Sequence, residues 1–140
     1  MRETGYTLIE LVTVIVLVSL LAAAFFRSPT FSGDTAAVQA SRDDLVAAMF
    51  YGQQIAMARD SATNPIRVVT TTNSVSVTEN GVPLLSGNVQ YPLAVSSGVQ
   101  ITPAVTLNFD KLGRTTATTF TISKNGASAT VMVSESGYAN

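Results

Sequence analysis

Hydrophobic and polar positions divide the chain into three stretches with different rhythms. The first, YTLIELVTVIVLVSLLAAAFF from Tyr6 to Phe26, carries one charge, Glu10, and none from Leu11 to Phe26. As a helix it would extend about 31 Å at ~1.5 Å per residue, close to the roughly 30 Å hydrocarbon core of a bilayer. A transmembrane or assembly helix is therefore predicted over residues 6–28. The apolar core of a secretory signal is shorter, about 7–15 residues, and ends at a small-x-small site. Here Phe25-Phe26 carry the apolar run past Ala22-Ala23-Ala24.

The second stretch, residues 29–64, opens on Pro29 and Gly33, which weaken a helix locally, so a kink is predicted near residues 28–34. Beyond it Asp34 or Ser32 is placed to cap a resumed helix. Val38, Leu45, Met49, Gly52 and Ala56 recur at helical spacing on one buried face, with Val46, Phe50 and Met57 widening it. Arg42, Asp43, Gln53, Gln54 and Arg59 fall to the solvated or subunit-facing side. Asn64-Pro65 ends the pattern, because a residue before proline is pushed out of helical dihedrals.

From Ile66 the vocabulary changes to Val, Thr, Ser and Ile with regular turn signals, which is strand composition. Asn80-Gly81 and Lys124-Asn125-Gly126 mark hairpins, and Pro83 marks a brief or edge strand. Six or seven short, mainly antiparallel strands are expected over residues 66–140, packed on the helix of residues 34–62. The fold class predicted is α+β: one long N-terminal helix, with a transmembrane half and an amphipathic half, packed on a mainly antiparallel β-sheet domain.

Composition narrows the chemistry. The chain has no cysteine and no histidine, which removes disulfides, thiol catalysis, the commonest general base and the commonest zinc ligand. Net charge is −1 and only 12% of residues are charged, so the chain makes no electrostatic bid for nucleic acid. From Ile66 onward Arg67, Lys111, Arg114 and Lys124 stand against Glu79, Asp110 and Glu135, which is not a basic patch. No Gly-x-Ser-x-Gly elbow, Ser-x-x-Lys pair, phosphate loop or metal-ligand cluster is present. The expectation is a protein that is not an enzyme, with no cofactor and no metal.

Glu10 poses the remaining question. A lone acid within a membrane helix costs roughly 2.5–3.5 kcal/mol at the centre on insertion scales and persists mainly where something neutralises it. Gly5-Tyr6-Thr7-Leu8-Ile9-Glu10-Leu11-Val12, followed by the apolar run, resembles the processing site of type IV prepilins and type II secretion pseudopilins. The resemblance implies a leader of residues 1–5, cleavage between Gly5 and Tyr6 by a prepilin peptidase, and N-methylation of Tyr6. It also implies that Glu10 meets the new amine at Tyr6 of an adjoining subunit or its own, with Thr7 as a supporting hydrogen-bonding group. Two opposite charges away from water attract strongly, although desolvation opposes the pairing.

A second resemblance lies at the other end. Phe109-Asp110-Lys111-Leu112-Gly113-Arg114, then a strand pair, then Val131-Met132-Val133-Ser134-Glu135-Ser136-Gly137-Tyr138, is similar to the end of the H-type pseudopilin and FimT-type minor pilin group. FYGQQIAMA resembles a mannose-sensitive haemagglutinin pilus minor pilin. What these resemblances imply is a minor pilin or pseudopilin in a priming or tip role. Its partners would be the prepilin peptidase, other pilins, an inner-membrane assembly platform and membrane lipid. Arg2 and Arg27 nearly balance, so orientation follows from the resemblance alone: N-terminus cytoplasmic, one pass through the bacterial inner membrane, C-terminal domain periplasmic, then the filament. Some FimT-type pilins bind DNA through arginine-bearing C-terminal loops, and a DNA- or surface-binding minor pilin is the alternative reading, with a membrane-anchored periplasmic enzyme behind it. Ser136-Gly137-Tyr138-Ala139-Asn140 lacks those arginines, so specific nucleic-acid binding is not expected.

Overall fold

A computed structural model of the chain describes residues 7–26, 33–59 and 63–140. They belong to two compact units, Met1–Phe31 and Ser32–Asn140.

The described part of the first unit is one helix, α1, Leu8–Phe26, of 19 residues. Thr7 starts it: the Thr7 carbonyl accepts from the Glu10 and Leu11 amides at 3.0 and 3.3 Å, and its Oγ1 accepts from the Glu10 amide at 3.4 Å. That is an N-cap, satisfying donors that have no partner inside the helix. Thr13 and Ser19 donate their hydroxyls to the carbonyls of Ile9 and Ile15, both at 2.7 Å. The two polar side chains are thereby satisfied within the helix, and its flanks are left apolar.

This corrects the N-terminal expectation. Among the described residues there are two helices, Leu8–Phe26 and Gly33–Ala58, and neither is long and apolar enough to cross a membrane. The 19 residues of α1 rise about 28 Å, short of the core of roughly 30 Å, and Glu10 occupies the first turn. The α+β fold class built on a transmembrane half-helix is set aside, and so is the single-pass inner-membrane location with a periplasmic domain. Most of the kink predicted at residues 28–34 lies outside the described residues.

In the second unit α2, Gly33–Ala58, buries Val38, Ser41, Leu45, Ala48, Met49, Gly52 and Ala56. These lie at three- and four-residue spacing, one stripe of a 3.6-residue helix. Of the widening residues, Val46 is half-buried and packs against this core, whereas Phe50 is 57% and Met57 47% exposed. The helix stops at Ala58, earlier than Asn64-Pro65 suggested.

Ten short strands follow, more than the six or seven expected: β1 Ile66–Thr70, β2 Ser74–Glu79, β3 Val82–Pro83, β4 Leu85–Ser86, β5 Val89–Gln90, β6 Leu93–Ala94, β7 Gln100–Thr102, β8 Thr106–Phe109, β9 Thr118–Lys124 and β10 Ala127–Val133. Turn residues split what reads as two strands into the two-residue pieces β3 to β6. One sheet has the order β3-β2-β1-β8 with β6 also on β2, a second has β10-β9-β7, and β4 pairs with β5. All pairings are antiparallel, with Val68 opposite Val77 and Leu107, and Val131 opposite Phe120. The Asn80-Gly81 and Asn125-Gly126 turns have positive φ at both residues, the geometry of type I′ hairpins.

The core lies between α2 and the inner faces of the two larger sheets, where Leu45, Met49, Ile66, Val68, Val77, Phe120, Ile122 and Val131 are fully buried. Each large side chain removed from water contributes about 1.5–3 kcal/mol. Close approach sets residue choice at Gly52, where a Cβ would sit 2.7 Å from Val68 Cγ2. Val68 is β-branched and enclosed, so it has little freedom to yield.

Candidate functional site

Of the residues singled out for maturation and assembly, Gly5 and Tyr6 lie outside the described residues. Thr7 and Glu10 are placed together at the start of α1, bound through the cap. Their spacing is that of a capping box, Thr7-x-x-Glu10, a helix-start signal that accounts for both residue types locally. A carboxylate there also lies at the positive end of the helix dipole. The Glu10 side chain is solvent-exposed, and no cation pairs with it among the described residues. Behind it Leu11, Val14, Ile15, Leu17, Val18, Leu20 and their neighbours are each at least 44% exposed. Unit one therefore presents a capped apolar rod with one acid at its leading end.

The second unit holds a site that sequence reading passed over. Gln53, assigned to the solvated face, donates through Nε2 to the carbonyls of Ser136 at 2.8 Å and Gly113 at 3.3 Å. One amide on α2 thus fastens two turns at once, Asp110–Arg114 and Ser134–Tyr138. The first turn is closed by Asp110, whose Oδ1 accepts from the Leu112 and Arg114 amides at 2.9 and 2.8 Å, while Oδ2 accepts from Arg114 Nε at 2.9 Å. These bonds, the Arg114 amide foremost, hold the Asp110 carboxyl below the usual carboxylate range. Gly137 packs so close to the first turn that a Cβ would stand 2.0 Å from Gly113 O, and its φ of 82° excludes most side chains as well. The Phe-x-x-x-Gly-Arg segment and the terminal glycine are thus two halves of one clasp on Gln53. Arg114 is 62% exposed at its side chain and engaged with Asp110.

Beside the clasp runs a groove of about 390 Å³, lined by Val46, Ala47, Phe50, Gln53, Tyr138 and Ala139 among others. Its surface is largely apolar, suited to packing against another apolar surface. At the far end of α2, Asp34 accepts from Asn125 Nδ2 at 3.2 Å and pairs with Lys124 Nζ at 3.1 Å. The Asn125 amide first, and Lys124 next, hold its carboxyl below the ordinary range. Asp44 moves the other way, raised by burial and by neighbouring Asp43. Arg59 is paired with Glu79, and Arg67 donates to Asn108 at 2.9 Å. The exposed cations of this unit are thus largely engaged. No protein-family model, curated protein or solved structure matches the chain.

Proposed function

We propose that the chain is a filament subunit of the minor pilin or pseudopilin kind, matured by a prepilin peptidase between Gly5 and Tyr6, methylated at Tyr6, and joined to neighbouring subunits through α1. The observation that carries this reading is α1 itself: a capped helix whose large apolar side chains are uncovered, preceded by Gly5-Tyr6 and led by a single acid. An uncovered apolar face of this extent marks an interaction surface in a folded protein. Packing such helices side by side would bury that face, and the amine freed at Tyr6 would give Glu10 the counter-charge that the described residues do not supply. The clasped second unit would travel as the exposed domain of the subunit, and an assembly platform would be the machinery that handles it.

The test is incorporation of a Glu10→Val chain beside wild type. The variant is expected to be cleaved normally and to enter filaments poorly; equal incorporation would refute the role of Glu10.

A further inference from the structure

At seven residues, β10 is the longest edge strand among the described residues. Pro83 removes an N–H from β3, and the Ile101 amide of β7 already donates to Thr72 O at 2.8 Å. The edge strand β8 is four residues long and runs into the charged turn of Asp110, Lys111 and Arg114. Charge, proline and shortness are the usual devices against edge pairing. By contrast β10, ASATVMV, is seven residues long and has neither a charge nor a proline.

Which of its groups are open follows from the hairpin. The two-residue Asn125-Gly126 loop closes on Lys124 opposite Ala127, so Ala127, Ala129 and Val131 turn their main-chain groups to β9 while Ser128, Thr130 and Met132 turn theirs outward. Met132 confirms the alternation by exchanging both hydrogen bonds with Asn140, at 3.0 and 3.1 Å. Ser128 and Thr130 have no such main-chain partner among the described residues. The open edge therefore covers residues 127–131, bounded at one end by the turn at Gly126 and at the other by Asn140 on Met132.

We infer that this edge pairs with the same edge of a second copy of the chain, antiparallel about a two-fold axis at Ala129. In that register Ser128 of each copy faces Thr130 of the other, and four main-chain hydrogen bonds satisfy the open groups of both. The ends fit as well. Each copy's chain turns away at Gly126, where the other's edge is already closed by Asn140, so neither has to be displaced. A net charge of −1 per chain opposes the approach only weakly. The outward side chains Ser128 and Thr130 are small, exposed and neutral. The inference stands whether or not the chain enters a filament.

The chain has no cysteine, so an introduced one reports alone. Full-length Ala129→Cys, held in a non-ionic detergent and oxidised mildly, is expected to form a covalent dimer at least about tenfold faster than Thr119→Cys, an exposed position on β9. Ala129 would face its own copy across a non-hydrogen-bonded pair with Cα atoms about 4.5 Å apart, within the range a disulfide bridges. Cross-linking of Ala129→Cys no faster than Thr119→Cys would overturn the inference. Because Ala129 is half-buried, a second measurement uses exposed positions only: an equal mixture of Ser128→Cys and Thr130→Cys chains should give the mixed dimer well beyond the roughly twofold excess over either homodimer that random pairing produces. A mixed dimer at no more than about twice either homodimer would also overturn it.

Discussion

The two helices of this chain both carry many apolar residues, yet they solve opposite problems. α2 buries seven residues against the sheets, and its polar side chains reach outward to named partners: Gln53 to two turns, Asp34 to the β9–β10 hairpin, and Tyr51, through its hydroxyl, to Leu85 O at 2.7 Å while its ring stacks on Tyr91 at 6.0 Å. α1 keeps its hydroxyls to itself, bonds only its own carbonyls, and leaves its large apolar side chains uncovered. Apolar content alone does not say where a helix finds its stability. α2 is held by the rest of its unit, whereas α1 awaits a surface from elsewhere, and in the proposed filament that surface is another α1.

The sharpest way to break this contrast is to truncate one leucine in each helix. Leu45→Ala, at a fully buried position, should destabilise the second unit by about 2–5 kcal/mol in denaturant unfolding. Leu17→Ala, 55% exposed, should leave that transition within about 0.5 kcal/mol of wild type; comparable losses would mean that α1 is covered after all. Gln53→Ala removes the only donor shared by the Gly113 and Ser136 turns among the described residues, and should lower stability by about 1–3 kcal/mol. It should also raise hydrogen exchange at both turns together; protection lost at one turn alone would refute the shared clasp. Thr7→Ala should weaken the start of α1 by about 0.5–2 kcal/mol, seen as reduced helicity by circular dichroism with unchanged unfolding of the second unit.

The smallest effect is the pH dependence at the other end of α2. A carboxyl held below its ordinary range by folding contributes stability that is full above the ordinary carboxylate pKa and is lost as pH falls through the lower folded value. Asp34 is such a group, through Asn125 and Lys124. Asp34→Asn should therefore make the acid limb of the stability profile shallower and leave its neutral limb unchanged in slope. An acid limb as steep as that of wild type would remove Asp34 from the account.

How much of this was legible in the sequence depends on how far apart the cooperating residues lie. The buried stripe of α2 at Val38, Leu45, Met49, Gly52 and Ala56 is local periodicity, and the Asn-Gly turns are local chemistry, so both could be read directly. Phe50 and Met57 were misassigned because helical spacing gives a face but not its width, which the facing sheets decide. Gln53 was missed because its partners lie 60 and 83 positions away, and only the closed fold brings Gly113 and Gly137 against it. In the sequence Gly113 and Gly137 stand in two separate motifs, and their mutual contact belongs to the folded chain. At the N-terminus the Thr7-x-x-Glu10 capping signal was in plain view yet was read only as assembly chemistry. The membrane-spanning expectation rests on the apolar run from Tyr6 to Phe26, and no helix among the described residues is long and apolar enough to cross a membrane.

The central claim, that the chain is matured next to Tyr6 so that α1 can join its neighbours, is tested most directly by mapping the N-terminus after co-expression with a prepilin peptidase, by intact mass and terminal sequencing. The account predicts a chain that starts at a methylated Tyr6, and a Gly5→Ala chain that keeps Met1. A wild-type chain still beginning at Met1, a start well beyond residue 20, or normal processing of Gly5→Ala would contradict it.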